Sequence, residues 1–219
     1  MSNDSREFVI VGLGRFGFHL AKTLFEMGYN VFGIDSDENK VQKSRDICTH
    51  VVQADATDEE TLRSLGVSNF DVGIVSIGHD LESSVLVALI LKEIGISEVI
   101  AKASSEIHGK VLERLGVDRM IFPERDMGIR LANHLAIRNI VDYLEITPNV
   151  SIVEISVSPE MEGKSLKTLN LRAKHGINVL AIRRGSEVIV SPDADIPLES
   201  EDVLIAIGSN EDVRGWQMK

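Results

Sequence analysis

The stretch FVIVGLGRFGFHLAKTLFEMGYNVFGIDSD, Phe8 to Asp37, decides how the rest of the chain is read. Phe8 to Val11 is a short apolar run of strand length that stops at Gly12, and Gly12, Gly14 and Gly17 complete G-x-G-x-x-G. Phe18 to Met27 then reads as a helix, with Leu20, Ala21, Leu24 and Phe25 on one stripe. YNVFGID supplies a second strand ending in Asp35, about 20 residues beyond the glycines. Each glycine has its own mechanical reason. Gly12 permits the tight turn, Gly14 lets the backbone approach a pyrophosphate, and Gly17 lets helix and strand pack closely. The helix N-terminus adds unpaired N–H groups and the positive end of a dipole for that anion. An acid at Asp35 takes ribose hydroxyls and repels a 2′-phosphate, so NADP is disfavoured. The glycine pattern alone is weak evidence; strand, glycines, helix, strand and terminal acid in that order are strong.

The alternation continues. Val51 to Ala54 is a strand, and Asp55-Ala56-Thr57 leads into a helix near Asp58 to Leu65. FDVGIVSIG is a strand followed by a long helix through LESSVLVALILKEIG. EVIAKAS and RMIFPE are two more strands, separated by a helix around Glu106 to Leu115. Six strands with intervening helices predict an α/β chain with a doubly wound parallel sheet of Rossmann type. Ligands in such sheets lie at the carboxyl ends of the strands. Those ends offer Gly12 to Gly17, Asp35, Asp55, Ile77-Gly78, Lys102 and Glu124. Spacing alone leaves the last four open between pocket and ordinary loop or cap chemistry.

From Pro123 the pattern changes. ERDMGIRLANHLAIRNIVDYLEI has apolar residues at Met127, Leu131, Leu135 and Ile140-Val141, which predicts a helix leaving the sheet. A linker is expected near Leu144 to Asn149. After it come strand, helix, strand, strand and strand: VSIVEISV, SLKTLNLRAKHG, INVLAIRRG, SEVIVSP and DVLIAIG, with Arg184-Gly185-Ser186 as a hairpin turn. The expected division is a first domain over 1–144, including the helix, and a small α+β domain over 145–219.

Composition bounds the function. The hydrophobic content of 43% supports a packed core. The longest apolar run, Val85 to Leu91, is far short of the roughly 20 residues of a membrane span. No charged-then-apolar leader precedes Phe8, and a lone cysteine, Cys48, fits a reducing cytoplasm. A net charge of -11 and no Lys/Arg cluster beyond a pair argue against a nucleic-acid surface. That also disfavours a redox-sensing DNA-binding repressor. A dehydrogenase needs an acid/base and a substrate clamp beside its cofactor. None of His19, His50, His79, His108, His134 and His175 falls in a catalytic motif, Cys48 has no nucleophile signature, and metal-ligand spacings are absent. The expectation is a nucleotide pocket without chemistry, with an NAD-dependent oxidoreductase as the enzyme alternative.

Together, IVGLGRFG, GIDSD, ADAT, VSIG, AKA and LGVDRMIFPERDMG resemble the RCK, or TrkA-type, cytoplasmic subunits of bacterial potassium uptake systems, and within them the KtrA kind. The combination of GLGRFG with PERDMG is the specific part, and the likeness covers nearly the whole chain. It implies a regulator in which homodimers assemble into an octameric ring beneath a membrane potassium-translocating subunit, on the inner face of the membrane. It implies that ATP and ADP set the ring's shape, with NAD the ligand of TrkA relatives. Carried over by motif, Gly12, Gly14 and Gly17 hold phosphates, with Phe16 among them, and Asp35 holds the ribose. Asp55 and Ala56 border the adenine, Ile77 and Gly78 line the pocket, and Lys102 and Arg15 approach the terminal phosphate. Glu124 is placed at a dimer interface beside a divalent cation, Mg or Ca. In the small domain, Arg172, Ile177 and Asn178 match positions lining a cyclic di-AMP site in some relatives.

Overall fold

In the computed structural model, residues 6–136, 140–147 and 149–217 are described. Strand β1 (Glu7–Val11) is buried on both faces, as expected of a parallel strand covered by helices on each side. Val9 and Val11 join one apolar cluster with Ile34, Leu62, Val75 and Leu91. Ile10 joins another with Leu13, Ala21, Val31 and Ile74. The period of two along β1 therefore divides the core between the two faces of the sheet.

Helix α1 (Arg15–Glu26) follows, then β2 (Asn30–Asp35), α2 (Glu38–Lys43), β3 (His50–Gln53) and α3 (Glu59–Ser64). Next come β4 (Val72–Val75), α4 (Leu81–Ile94), β5 (Glu98–Lys102), α5 (Glu106–Arg114) and β6 (Arg119–Ile121). The strands pair in parallel in the order β3-β2-β1-β4-β5-β6. This is the doubly wound sheet expected from the sequence. The helix after β1 begins at Arg15, inside the glycine motif and earlier than its apolar stripe suggested, because the three glycines leave room for the backbone to turn at once.

The chain divides into two compact units, one up to Pro123 and one from Glu124 on. Helix α6 (Pro123–Ala136) begins at the last residue of the first unit, a proline at its first turn where no N–H is needed, and the rest of it belongs to the second. The second unit's antiparallel sheet runs β10-β9-β11-β8-β7, with β7 (Ile140–Thr147), β8 (Val150–Ser156), β9 (Asn178–Arg184), β10 (Glu187–Val190) and β11 (Val203–Ser209). The short helices α7 (Leu166–Leu169) and α8 (Leu171–His175) precede β9, and α9 (Asn210–Gln217) follows β11.

Three sequence expectations change here. Ile140 and Val141, read as the end of a helix, begin strand β7, which pairs antiparallel with β8. The expected linker, Leu144 to Asn149, is the end of that strand and the turn into β8; Pro148 within it lies outside the described residues. IVDYLEIT is rich in β-branched and aromatic residues, and β8 offers it a partner, so local strand preference prevails over continuation of the helix. The single helix expected over Ser165 to His175 is two, broken at Asn170, whose φ of 48 is left-handed. The turn at Gly185-Ser186 is as expected: Arg184 pairs with Glu187 across it.

Candidate functional site

The order of the first sheet reverses direction at β1 and β4, and a crevice opens at the carboxyl ends of strands at such a point. Gly12 enters it with φ of +95, a left-handed conformation, and its N–H donates to the Ile34 carbonyl at 2.8 Å. A Cβ on Gly12 would lie 3.1 Å from the Ser76 carbonyl carbon and 3.2 Å from the Ile77 nitrogen, so the loops after β1 and β4 are in close approach. Gly17 is tighter still: its Cβ would be 2.0 Å from the Gly12 carbonyl oxygen. Gly14 differs from both. Nothing lies within 4 Å of where its Cβ would be, so it faces open space.

That open space is at the start of α1. Helices α2, α3, α4 and α5 are capped by side chains, Asp37, Asp58, Asp80 and Ser105 respectively, each accepting from a first-turn N–H. Helix α1 has Gly14 at that position, no side-chain cap and no acid in its first turn; Arg15 is exposed beside it and Phe16 half-buried. Its first amides are thus left for an external anion.

Asp35, at the end of β2, is only 6% exposed. Its Oδ2 accepts the Leu13 N–H at 2.7 Å and its Oδ1 accepts the Asp37 N–H at 2.9 Å. These bonds fix the carboxylate between the glycine loop and the turn after β2. Lys40 Nζ lies 3.3 Å from each oxygen. Lys40 was absent from the sequence reading. The available signal was a cation one turn into the helix that follows the acid.

At the end of β3, Asp55 folds back on Thr57, accepting its hydroxyl at 2.7 Å and its N–H at 2.9 Å. The Thr57 hydroxyl, then its amide, hold the Asp55 carboxyl below the usual range. Ala56 beside it is buried, and the Ala54 N–H donates to the Asp35 carbonyl, tying the ends of β2 and β3 together. From β5, the Lys102 side chain runs along Gly78, its Nζ 3.2 Å from where a Gly78 Cβ would be. Arg15 and Lys102 are therefore the cations of the first unit that flank the strand ends, with Lys40 over Asp35.

The residues expected to form the pocket from Gly12 to Lys102 all lie at the carboxyl ends of the strands of the first sheet. The Glu124 side chain is in the second unit, near the start of α6 and exposed. Arg172 on α8 and Asn178 at the start of β9 are exposed, but Ile177 between them is fully buried in the core with Val153, Ile155, Ala206 and Val213. Its side chain supports the fold and is not displayed on the surface. Among the described residues no three His, Cys, Asp or Glu side chains converge to hold a metal. His108 is buried, with Nδ1 accepting the Ser104 N–H at 3.2 Å, and burial holds its pKa below the ordinary value; it packs within the fold. Cys48 is buried too, and that burial pushes its thiol up to about 11. Neither supplies a nucleophile or base at the strand ends. The arrangement can hold a nucleotide and read its phosphates.

Comparison with known proteins agrees with this geometry. The TrkA-N domain family matches residues 8–123, and the TrkA-C domain family matches residues 150–215. The chain belongs to the TrkA family. It is similar to Ktr system potassium uptake protein C of Bacillus subtilis (strain 168), 44% identical over 98% of this chain and 97% of that protein. It is also similar to Ktr system potassium uptake protein A of the same organism, 38% identical over 97% of this chain and 96% of that protein. A solved structure, the GsuK channel bound to NAD, shares the fold with a TM-score of 0.68 at 16% identity; it matches 100% of this chain, which spans 40% of that one. Among the described residues no helix is long and apolar enough to cross a membrane.

Proposed function

We propose that the carboxyl ends of the strands of the first sheet bind an adenine nucleotide, ATP or ADP, with NAD the alternative ligand, and that the nucleotide controls potassium uptake. The chain is a nucleotide-binding regulatory subunit of a potassium uptake system and not an enzyme. The observation that carries the pocket assignment is the uncapped start of α1 beside open space at Gly14, with the pinned Asp35 carboxylate across the loop. Phosphates act as the missing cap, Asp35 takes the ribose, and Asp55 and Ala56 border the base. Arg15 and Lys102 suit a triphosphate better than a pyrophosphate, because they add charge where a γ-phosphate extends.

In this reading the protein works in the cytoplasm, as homodimers closed into an octameric ring against a membrane potassium-translocating subunit. The nucleotide domain proper is the unit up to Pro123; a boundary after Leu144 would cut strand β7, so α6 and β7 go with the second unit. ATP and ADP differ by one phosphoryl group, so only contacts to that group can shift the ring between two shapes. Among the described residues, one chain has too few clustered ligands for a cation. Glu124 would give a single oxygen per chain to a Mg or Ca ion completed by nucleotide phosphates and a second copy, a sparse set typical of Mg at phosphates. If so, Glu124→Gln removes the dependence of ATP affinity on divalent cation. An unchanged dependence refutes the cation role.

The pocket assignment is tested by calorimetric titration of ATP, ADP and NAD. Arg15→Ala should weaken ATP by about tenfold, the scale of one hydrogen bond to a charged group, and ADP by less than threefold. Equal losses would make Arg15 a general pyrophosphate contact, and NAD as the tightest ligand would overturn the ATP/ADP assignment. A second ligand, cyclic di-AMP, is proposed for the second unit through Arg172 and Asn178, an exposed phosphate partner and an exposed amide on either side of Ile177. Binding to the full chain that survives Arg172→Ala together with Asn178→Ala would exclude these residues.

A further inference from the structure

Asp35 has about four acceptor positions on its two oxygens. Two are occupied by amides that belong to the fold, Leu13 N–H at 2.7 Å and Asp37 N–H at 2.9 Å. The others face Lys40, whose Nζ is 3.3 Å from both oxygens. The two sets of contacts are unlike. The amide bonds are short and involve a carboxylate that is 6% exposed, whereas the lysine contacts are long and its side chain is 44% exposed. Ribose hydroxyls arriving at Asp35 can accept nothing from the amides already engaged. They must donate to the positions that Lys40 covers.

We infer that Lys40 is the specificity-determining residue of the ribose subsite. Its ammonium stands over Asp35 and competes with the hydroxyls of an unmodified ribose for the same oxygens. For a ribose bearing a 2′-phosphate it does the reverse: it offsets the charge of Asp35 and gives the phosphate a partner. Asp35 alone would reject a 2′-phosphate strongly, and Lys40 softens that rejection. The carboxylate is held by the backbone in either case, so movement of one exposed side chain is enough to open the subsite. This inference rests on the reading of the strand ends as a nucleotide pocket, and it names the residue that sets the ribose preference there.

The test is calorimetry on the full chain with two probes, ADP and adenosine 2′,5′-bisphosphate, for the wild type, Lys40→Met and Lys40→Arg. Methionine keeps the length of the stem and removes the charge. The ratio of ADP affinity to bisphosphate affinity should rise about two- to fivefold in Lys40→Met, on the scale of an exposed ion pair, and stay near the wild-type ratio in Lys40→Arg. A melting temperature measured for each protein separates loss of fold from loss of selectivity. A ratio in Lys40→Met that is unchanged or lower overturns the inference while leaving the pocket intact. Absence of ADP binding to the wild type would overturn the nucleotide reading itself.

Discussion

Gly14 and Gly17 stand three residues apart in one motif, yet alanine separates their roles. At Gly17 the new Cβ would be 2.0 Å from the Gly12 carbonyl oxygen and 2.9 Å from Ser76 Oγ, and the first of these is backbone that cannot yield. At Gly14 the Cβ meets nothing, and φ of -67 suits alanine. Gly17→Ala should lower stability by about 2 kcal/mol or more, as overpacking does, and take nucleotide binding with it. Gly14→Ala should change stability by less than about 1 kcal/mol, the scale of a lost glycine cap, while weakening nucleotide through the methyl placed in the proposed phosphate position. Urea unfolding beside calorimetry distinguishes the two; a Gly14→Ala protein that binds as tightly as wild type would move the phosphates away from this loop. The places of these glycines and of Asp35 in the fold were legible in the sequence because a fixed spacing sets the turn, the close packing and the strand end. Lys40 was not, since its contact depends on where α2 starts and how the turn at Asp37 aims it.

Among the elements, the first unit was readable almost strand by strand, because each buried parallel strand is an apolar run flanked by Gly or Asp. The second was less so. Ile140-Val141 continues the spacing of α6 as well as it begins a strand, and only pairing with β8 decides between them. Helix α9 was missed because NEDVRGWQ offers only Val213 and Trp216 as large apolar positions, too few to set a helical period. A side-chain link in this second sheet is also invisible in sequence: Arg184 at the end of β9 donates from Nε and Nη2 to Asp202, at 2.8 and 2.7 Å, just before β11. Asp202 is almost fully buried and also accepts the Glu199 N–H at 2.8 Å. The Arg184 hydrogen bonds hold its carboxyl below the usual range, against an opposing push from burial. Asp202→Ala should therefore destabilise the protein by about 2–3 kcal/mol at neutral pH. A depressed folded pKa means that the contribution is complete above the unfolded value, near 3.9, and fades as pH falls through the folded one. Unfolding followed at pH 6 and pH 3 should show the wild type losing more stability than Asp202→Ala over that range. Equal losses would mean that the pair adds nothing to the acid sensitivity.

At the scale of the whole molecule, one surface is hard to reconcile with a lone chain. Met127, Leu131 and Leu135 on α6 are spaced four residues apart and so fall on one face, at 58%, 52% and 77% exposure. Scattered exposed leucines need no explanation, but three large apolar residues aligned along one helix mark a place for a partner. The acidic charge of -11 opposes indiscriminate association, which leaves a specific apolar seam as the means of pairing. A second copy of this chain brings the same stripe, and a two-fold axis sets helix against helix with each residue meeting its equivalents. The wild type should therefore be dimeric or larger in light scattering at micromolar concentration. Leu131→Glu combined with Leu135→Glu places two charges in that seam from each chain and should shift the protein towards 24.1 kDa, the mass of one chain. The pocket residues from Gly12 to Lys102 belong to the first unit, so the monomeric variant should keep a cooperative melt and still bind ADP. Wild type that runs as a monomer with nucleotide present, or a double variant that stays dimeric, would remove α6 from the proposed interface and with it the proposed route from nucleotide to ring.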